Sequence, residues 1–365
     1  MKNNCKFYTV NAHWLSAIRG KSASLLTLGA WLGVVSLLSA GTAHGQTLYV
    51  ANDGNQNDGS LSIGEYNAAT GAPVNGGTLA QGGDLTQPWG LAISGNTIYC
   101  SNPTSEDIVA IDATTGALVG PNGGVLVSNL LYPPLGLAVS GNTLFVAIAN
   151  GNTPGIGEYN INTGAPVSTG TLVSFVDSPA PTELAVAGTT LYVTLSNNTI
   201  GEYNVNTGAP VNGGVFTSTD LNSPTALAIS GATLYVTNTF GGVFGDTNTI
   251  TEYNLNTGAE LNGGNPLVTD APTDSDGLAV YDNTLYVSSF HDQTITAYNA
   301  TTGAELNGGE PLIASGYNSS EVDTGPLQNP IQLFVVAPVP EPSTWAMLAL
   351  GGGALLGLRR CRIRA

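Results

Sequence analysis

Between residues 46 and 336 the apolar side chains fall in short runs that often alternate with polar ones, and each run is bounded by Gly, Asn, Asp or Pro. A period of two in short bounded runs predicts strands rather than helices. The runs also recur. A unit of the form Pro-x-Gly-Leu-Ala-Val-Ser-Gly-Asn-Thr-Leu-Tyr-Val, then Ile-x-Glu-Tyr-Asn-x-x-Thr-Gly-Ala, returns every 43 to 51 residues, with its aromatic anchor at Tyr49, Tyr99, Phe145, Tyr192, Tyr235 and Tyr286. The Thr-Gly pair returns at Gly71, Gly116, Gly164, Gly208, Gly258 and Gly303, so both markers count six units.

Within a unit, Ser94-Gly95-Asn96-Thr97 and its counterparts Ser140–Thr143 and Ser230–Thr233 read as two-residue hairpin turns joining a first strand to a second, because Gly and Asn tolerate the positive φ such turns require. Asn67 to Gly71 and its equivalents turn the third strand into the fourth. Four strands in a unit of this length indicate a propeller blade. The chain enters at a second strand, Leu48-Tyr49-Val50, and supplies an unmatched first strand late, Asn329 to Val335. Together these fragments complete one blade and remove two exposed sheet edges. The expected fold is therefore all-β, a six-bladed β-propeller closed by N- and C-terminal strands; the alternative of an open β-solenoid leaves both half-units unpaired.

Charge divides the chain into three pieces. The 8 basic residues lie at the two ends, Lys2, Lys6, Arg19 and Lys21 in front and Arg359, Arg360, Arg362 and Arg364 behind, while all 25 acidic residues lie between Gln46 and Leu358, for a net −17. Residues 1–45 have a positive n-region, an apolar run from Ala23 to Ala40, and small residues at Ala43 and Gly45, the parts of a secretory signal peptide; a lasting membrane anchor is the alternative. Residues 46–338 form the repeat body. Residues 339–365 read Val339-Pro340-Glu341-Pro342-Ser343-Thr344, then an almost wholly apolar or Gly segment from Trp345 to Leu358, then the arginine cluster. Arginines after an apolar segment stay cytoplasmic, which leaves the body outside the inner membrane. The segment is short of a comfortable span, and Gly351-Gly352-Gly353 weakens it as a helix, so it suits a transmembrane anchor that is temporary.

This ending resembles the PEP-CTERM sorting signal of exported Gram-negative bacterial proteins, on Pro340, Glu341, Pro342, the apolar run and the arginine tail. The resemblance implies recognition by a membrane-embedded exosortase, removal of the tail near Pro-Glu-Pro, and delivery to the cell surface or an exopolysaccharide matrix, as with other tail signals cut away after insertion. The expected partners are the exosortase and the secretion machinery, with matrix polysaccharide or an envelope protein beyond them. The blades resemble NHL and YVTN propeller repeats, through Leu234-Tyr235-Val236-Thr237-Asn238 and similar strings. That resemblance implies fold only, since propellers host lactonases, lyases, receptors and inert scaffolds.

The inventory of reactive groups narrows the chemistry. The body holds one His, His291, one Cys, Cys100, and no Lys or Arg. A Ser-His-Asp arrangement has to use His291, and no Gly-x-Ser-x-Gly elbow accompanies it. His291 is read as a surface loop residue and Cys100 as a small core residue without a disulfide partner. Nucleic-acid binding is disfavoured because phosphate needs basic partners. An acidic body attracts divalent cations instead, calcium first, through oxygen ligands.

Two constellations are candidate ligand sites. The loop with Asp53, Asn55, Asn57 and Asp58 begins like an EF-hand loop, but its Gly is displaced to Gly59 and its twelfth position is Gly64 instead of Glu. Aligning the first strands places Gly90, Gly136, Glu183, Ala226, Gly277 and Gln332 at one ring position, with Trp89 and Asp276 one residue earlier in their own blades. Glu183 and Asp276 are thus expected near a common cavity on the axis, with Trp89 and Gln332 beside them. The repeated Glu65, Glu158, Glu202 and Glu252 are expected to be outward-facing polar residues of the third strands. The chain is read as a non-enzymatic exported propeller, with a secreted metal-dependent lactonase or lyase as the alternative.

Overall fold

A computed structural model describes residues 46–54, 61–130, 132–149, 154–175, 179–239, 248–314, 327 and 329–336. The sorting residues Val339, Pro340, Glu341 and Pro342, the arginines Arg359, Arg360, Arg362 and Arg364, and the loop residues Asn55, Asn57 and Asp58 lie outside the described residues. Among the described residues no helix is long and apolar enough to cross a membrane.

Among the described residues, six four-stranded antiparallel sheets build the body, Gly45–Ala337. The first blade takes its inner strand, Pro330–Val336, from the far end of the chain and continues through Thr47–Asn52, Ser62–Asn67 and Pro73–Gln81. Ala51 lies opposite Gln332 in that pairing, with a register shift between Ala51 and Asn52. The inner strands of the second to sixth blades are Leu91–Ser94, Pro134–Ser140, Pro181–Ala187, Pro224–Ser230 and Ser275–Tyr281. The first-to-second-strand turns have Gly95, Gly141, Gly188 and Gly231 at φ 56–59, whereas the sixth blade uses Asp282 and Asn283, at φ 46 and 72.

The hydrophobic core is divided among the six blade interfaces. Leu48, Val50 and Tyr66 of blade one pack with Tyr286, Ile295 and Ile313 of blade six, and equivalent clusters fill the other five contacts. Each third-to-fourth-strand turn then locks onto the preceding blade. Asn67 Oδ1 accepts hydrogen bonds from the Ala69 and Thr70 amides and the Thr70 hydroxyl, and the Gly71 amide donates to the Asn67 carbonyl at 2.8 Å. The same turn is built on Asp112, Asn160, Asn204, Asn254 and Asn299, with the Gly at φ 66–69 throughout. These six glycines press on the outer strand of the blade before: a Cβ on Gly164 would sit inside contact distance of the Leu126 carbonyl, and one on Gly71 would meet Leu312 of blade six.

The anchoring aromatics link blades in the opposite direction. Tyr49 OH donates to the Ala113 carbonyl of the next blade at 3.0 Å, and Tyr235 OH to Ala300 at 3.1 Å. Phe145 fills the same position in blade three without a hydroxyl, so packing alone suffices there. Tyr235→Phe is expected to lose about 1 kcal/mol of stability, the net worth of one buried hydrogen bond. Urea unfolding checks this, and an unchanged midpoint would show that the hydroxyl adds nothing.

Glu65, Glu158, Glu202 and Glu252 do not face outward. They are 5%, 7%, 4% and 8% exposed. Each lies directly across from the aromatic anchor of the second strand, as Glu65 does from Tyr49 and Glu202 from Tyr192. Blades in a ring pack face to face, so alternation along a third strand selects which neighbouring blade a side chain meets rather than water against core. The bulged fourth strand closes over the carboxylate: Asn75, held at φ 49, donates its side-chain amide to Glu65 Oε2 at 3.2 Å.

Candidate functional site at the mouth of the central channel

The ring position aligned from sequence holds four small residues and two long polar ones. Glu183 belongs to blade four and Gln332 to blade one, three blades apart in a ring of six and hence opposed across the axis. The Gln332 side chain is close enough to the Glu183 carboxyl to lower its pKa. Gly136 makes room for this: a Cβ there would stand 2.7 Å from Glu183 Cα and 2.9 Å from its Oε2. Glu183 is 4% and Gln332 6% exposed. Both line a cavity of about 270 Å³ on one side and a second of about 320 Å³ on the other, so the pair partitions the channel.

Buried hydroxyls of the second strands hold this layer. Thr194 Oγ1 accepts the Glu183 amide at 2.7 Å, and Ser101 Oγ accepts the Gly90 amide at 2.8 Å while donating to the Leu135 carbonyl of the next blade at 2.7 Å. Ser288 does the same toward the Ile331 carbonyl, at 3.0 Å. The first cavity is walled by aliphatic side chains of the inner strands. The second is the chemically diverse one: Trp89, Glu183, Asp276 and Gln332 all line it, with Leu195 and Pro224 among its apolar walls and Ser196, Asn198 and Ser223 also in its lining. The structure thus brings together the four channel residues singled out in the sequence.

Burial pushes the Glu183 carboxyl from an ordinary 4.5 to about 8, against the lowering effect of the Leu184 amide, which donates to Oε1 at 3.1 Å, and of Gln332. Burial, reinforced by the nearby Asp274 charge, pushes Asp276 from 3.8 to about 6. With no Lys or Arg in the body, nothing cationic offsets either shift. At neutral pH the cavity therefore presents one protonated carboxyl on its floor and one ionised carboxylate on its wall.

The other sequence candidates are not part of this site. Asp53 Oδ2 accepts a hydrogen bond from Gln87 at 3.1 Å, and burial raises its pKa with that bond opposing. Among the described residues no group of three His, Cys, Asp or Glu side chains is arranged to hold a metal. His291 is exposed on a turn. Cys100 is fully buried, and burial raises its thiol pKa far above the ordinary value. Of the lining residues that sequence reasoning missed, Pro224 is the proline that opens the repeat unit, whereas Leu195, Ser196, Asn198 and Ser223 come from a strand end and the connections of blades four and five, where the units differ and the repeat carries no signal.

Comparison with known proteins fits this architecture. The PEP-CTERM protein-sorting motif matches residues 338–363, and the family described as outer membrane protein assembly factor BamB matches residues 104–263, less than half of the chain. Among curated proteins no sequence matches. Similar solved structures include a chain of the nidogen/laminin complex, at 12% identity and TM-score 0.57, covering 80% of this chain and 97% of that one. Another is a candidate 6-phosphogluconolactonase from Bacteroides uniformis, at 13% identity and TM-score 0.51, covering 80% of this chain and 100% of that one. At such identities the likeness is one of fold. Fold and tail together define the class: an exported six-bladed β-propeller protein. More particularly, residues 338–363 match the PEP-CTERM protein-sorting motif, alongside the propeller body.

Proposed function

We propose that the protein is a non-enzymatic component of the cell surface or extracellular matrix, made with a signal peptide at residues 1–45, held transiently in the inner membrane by the apolar segment of its tail, and released from it by an exosortase near Pro340-Glu341-Pro342. The observation that carries this reading is the sorting motif at residues 338–363 joined to a body without a single basic side chain and with one exposed histidine. Such a body lacks the usual proton shuttle and anion clamp of hydrolytic and phosphoryl-transfer sites. It presents instead a ring whose channel mouth holds a cavity lined by Trp89, Glu183, Asp276 and Gln332, suited to holding a ligand of the matrix.

Processing is tested in the native host with a tagged chain in which Pro340, Glu341 and Pro342 are all changed to Ala. The expected result is a longer form that accumulates in the inner-membrane fraction, while the wild-type protein appears shortened outside it. Identical size and distribution of the two would sink the sorting part of the proposal.

A further inference from the structure

We propose that the cavity formed by Trp89, Glu183 and Asp276 binds a protonated amino sugar, with Trp89 as the platform for the sugar ring and the Asp276 carboxylate as the partner of the ammonium group. This rests on reading the channel mouth as a binding pocket rather than a catalytic one.

Size comes first. A volume of about 320 Å³ lies at the small end of ligand pockets, which suits a single ring or chain terminus. Charge selects the sign. Asp276 supplies the one ionised carboxylate of the lining and no basic side chain exists in the body to neutralise it, so an anionic ligand is repelled and a cationic one finds an uncompensated partner. The kind of cation follows from the walls. A hard divalent ion takes six to eight oxygen ligands, whereas this lining combines an aromatic face with Leu195, Pro224 and Ile331, and no three-acid cluster occurs among the described residues. An ammonium carried on an organic ring uses both surfaces, the carboxylate for its charge and the indole face for the ring and the cation.

Hydroxyl recognition completes the match. Asn198 Oδ1 accepts the Ser223 amide at 3.0 Å and Ser196 Oγ accepts the Ala180 amide at 2.9 Å, so these polar groups of the lining are fixed in place before any ligand arrives. Glu183, protonated at neutral pH, brings an O–H donor to the floor beside the Gln332 amide. Such a pocket reads both the hydroxyls and the amine of an amino sugar. The small-residue ring at Gly136, Ala226 and Gly277 gives no competing side chain access to the axis.

The test titrates the purified full chain at pH 7 with glucosamine, glucose and calcium chloride separately, by calorimetry and by tryptophan fluorescence. Glucosamine is expected to bind saturably with a dissociation constant on the order of millimolar, and glucose at least roughly tenfold more weakly. Asp276→Asn is expected to remove that preference, and Trp89→Ala to remove binding, each with an unchanged circular dichroism spectrum. Equal affinity for the two sugars, binding unaffected by both substitutions, or displacement of glucosamine by micromolar calcium would each overturn the assignment. If Asp276→Asn fails to fold, Trp89→Ala and the glucose comparison still decide. The same samples are assayed for sugar consumption: binding without consumption upholds the site and the non-enzymatic reading together, binding with consumption upholds the site and overturns that reading, and no saturable binding overturns the site alone.

Discussion

Gly164→Ala is expected to lose about 3–5 kcal/mol of stability while Gly141→Ala, at nearly the same backbone angle, loses only about 1–2. The two glycines have φ 69 and 56, so the strain of placing a Cβ in the left-handed region is shared. Their surroundings differ. Around Gly141 a Cβ meets nothing within 4 Å, whereas at Gly164 it runs into the Leu126 carbonyl of the preceding blade, a backbone atom held in a strand that cannot yield like a side chain. The excess is therefore the worth of a close approach between blades. Thermal unfolding should show Gly164→Ala melting roughly 5–15 °C below wild type, at a few degrees per kcal/mol for a body of this size. Gly71→Ala extends the argument to the ends of the chain, because its Cβ meets Leu312 of the sixth blade. A loss comparable to that of Gly164→Ala is expected; equal small losses in all three variants would show that the turns do not bear on their neighbours.

That contrast marks where the sequence is legible. The Thr-Gly pairs announce the fourth-strand turn six times, and the chemistry of Asn67 or Asp112 accepting the following amides follows from local spacing alone. The contact those glycines make across the blade interface leaves no local trace, because its partner is a backbone carbonyl some 40 residues earlier or, for Gly71, far later. The third-strand glutamates show the opposite failure. Period-two alternation is visible in Ser62–Asn67, but reading one face as solvent assumes a sheet covered on one side, and a propeller blade is covered on both.

The candidate site was half legible for a related reason. Inner strands align from the repeat, so Glu183 and Gln332 stand out as the long residues at a position otherwise filled by Gly and Ala. Their opposition across the axis required the blade count and the strand supplied by Pro330–Val336. The walls from Ser196, Asn198 and Ser223 sit on connections that vary from unit to unit, where no repeat-based expectation exists.

The body should become less stable as pH rises from about 4.5 to about 8, with Glu183→Gln removing most of that dependence. In the unfolded chain Glu183 titrates near its ordinary 4.5, and in the folded one near 8, so between these values the native state keeps a proton that the unfolded state has released. Stability is greatest where both states are protonated, falls across the window, and levels above it. A displacement from 4.5 to about 8 corresponds to a loss of up to about 5 kcal/mol at the alkaline end, at 1.4 kcal/mol per unit. Asp276 contributes in the same direction between 3.8 and about 6. Asp112 opposes them weakly: amide and hydroxyl bonds from Thr114, Thr115 and Asn96 outweigh its desolvation and lower its pKa, but its carboxylate is exposed on a turn. Gln at 183 keeps the shape and an oxygen for the Leu184 amide while abolishing the charge. The variant should therefore match wild type near pH 4 and exceed it by several degrees in melting temperature near pH 8.5. Measuring both in about 0.5 M salt separates this from the general repulsion of a −17 chain, since salt screens exposed charges and leaves a buried carboxyl largely unscreened. Parallel pH profiles for the two proteins would refute the assignment of the slope to Glu183.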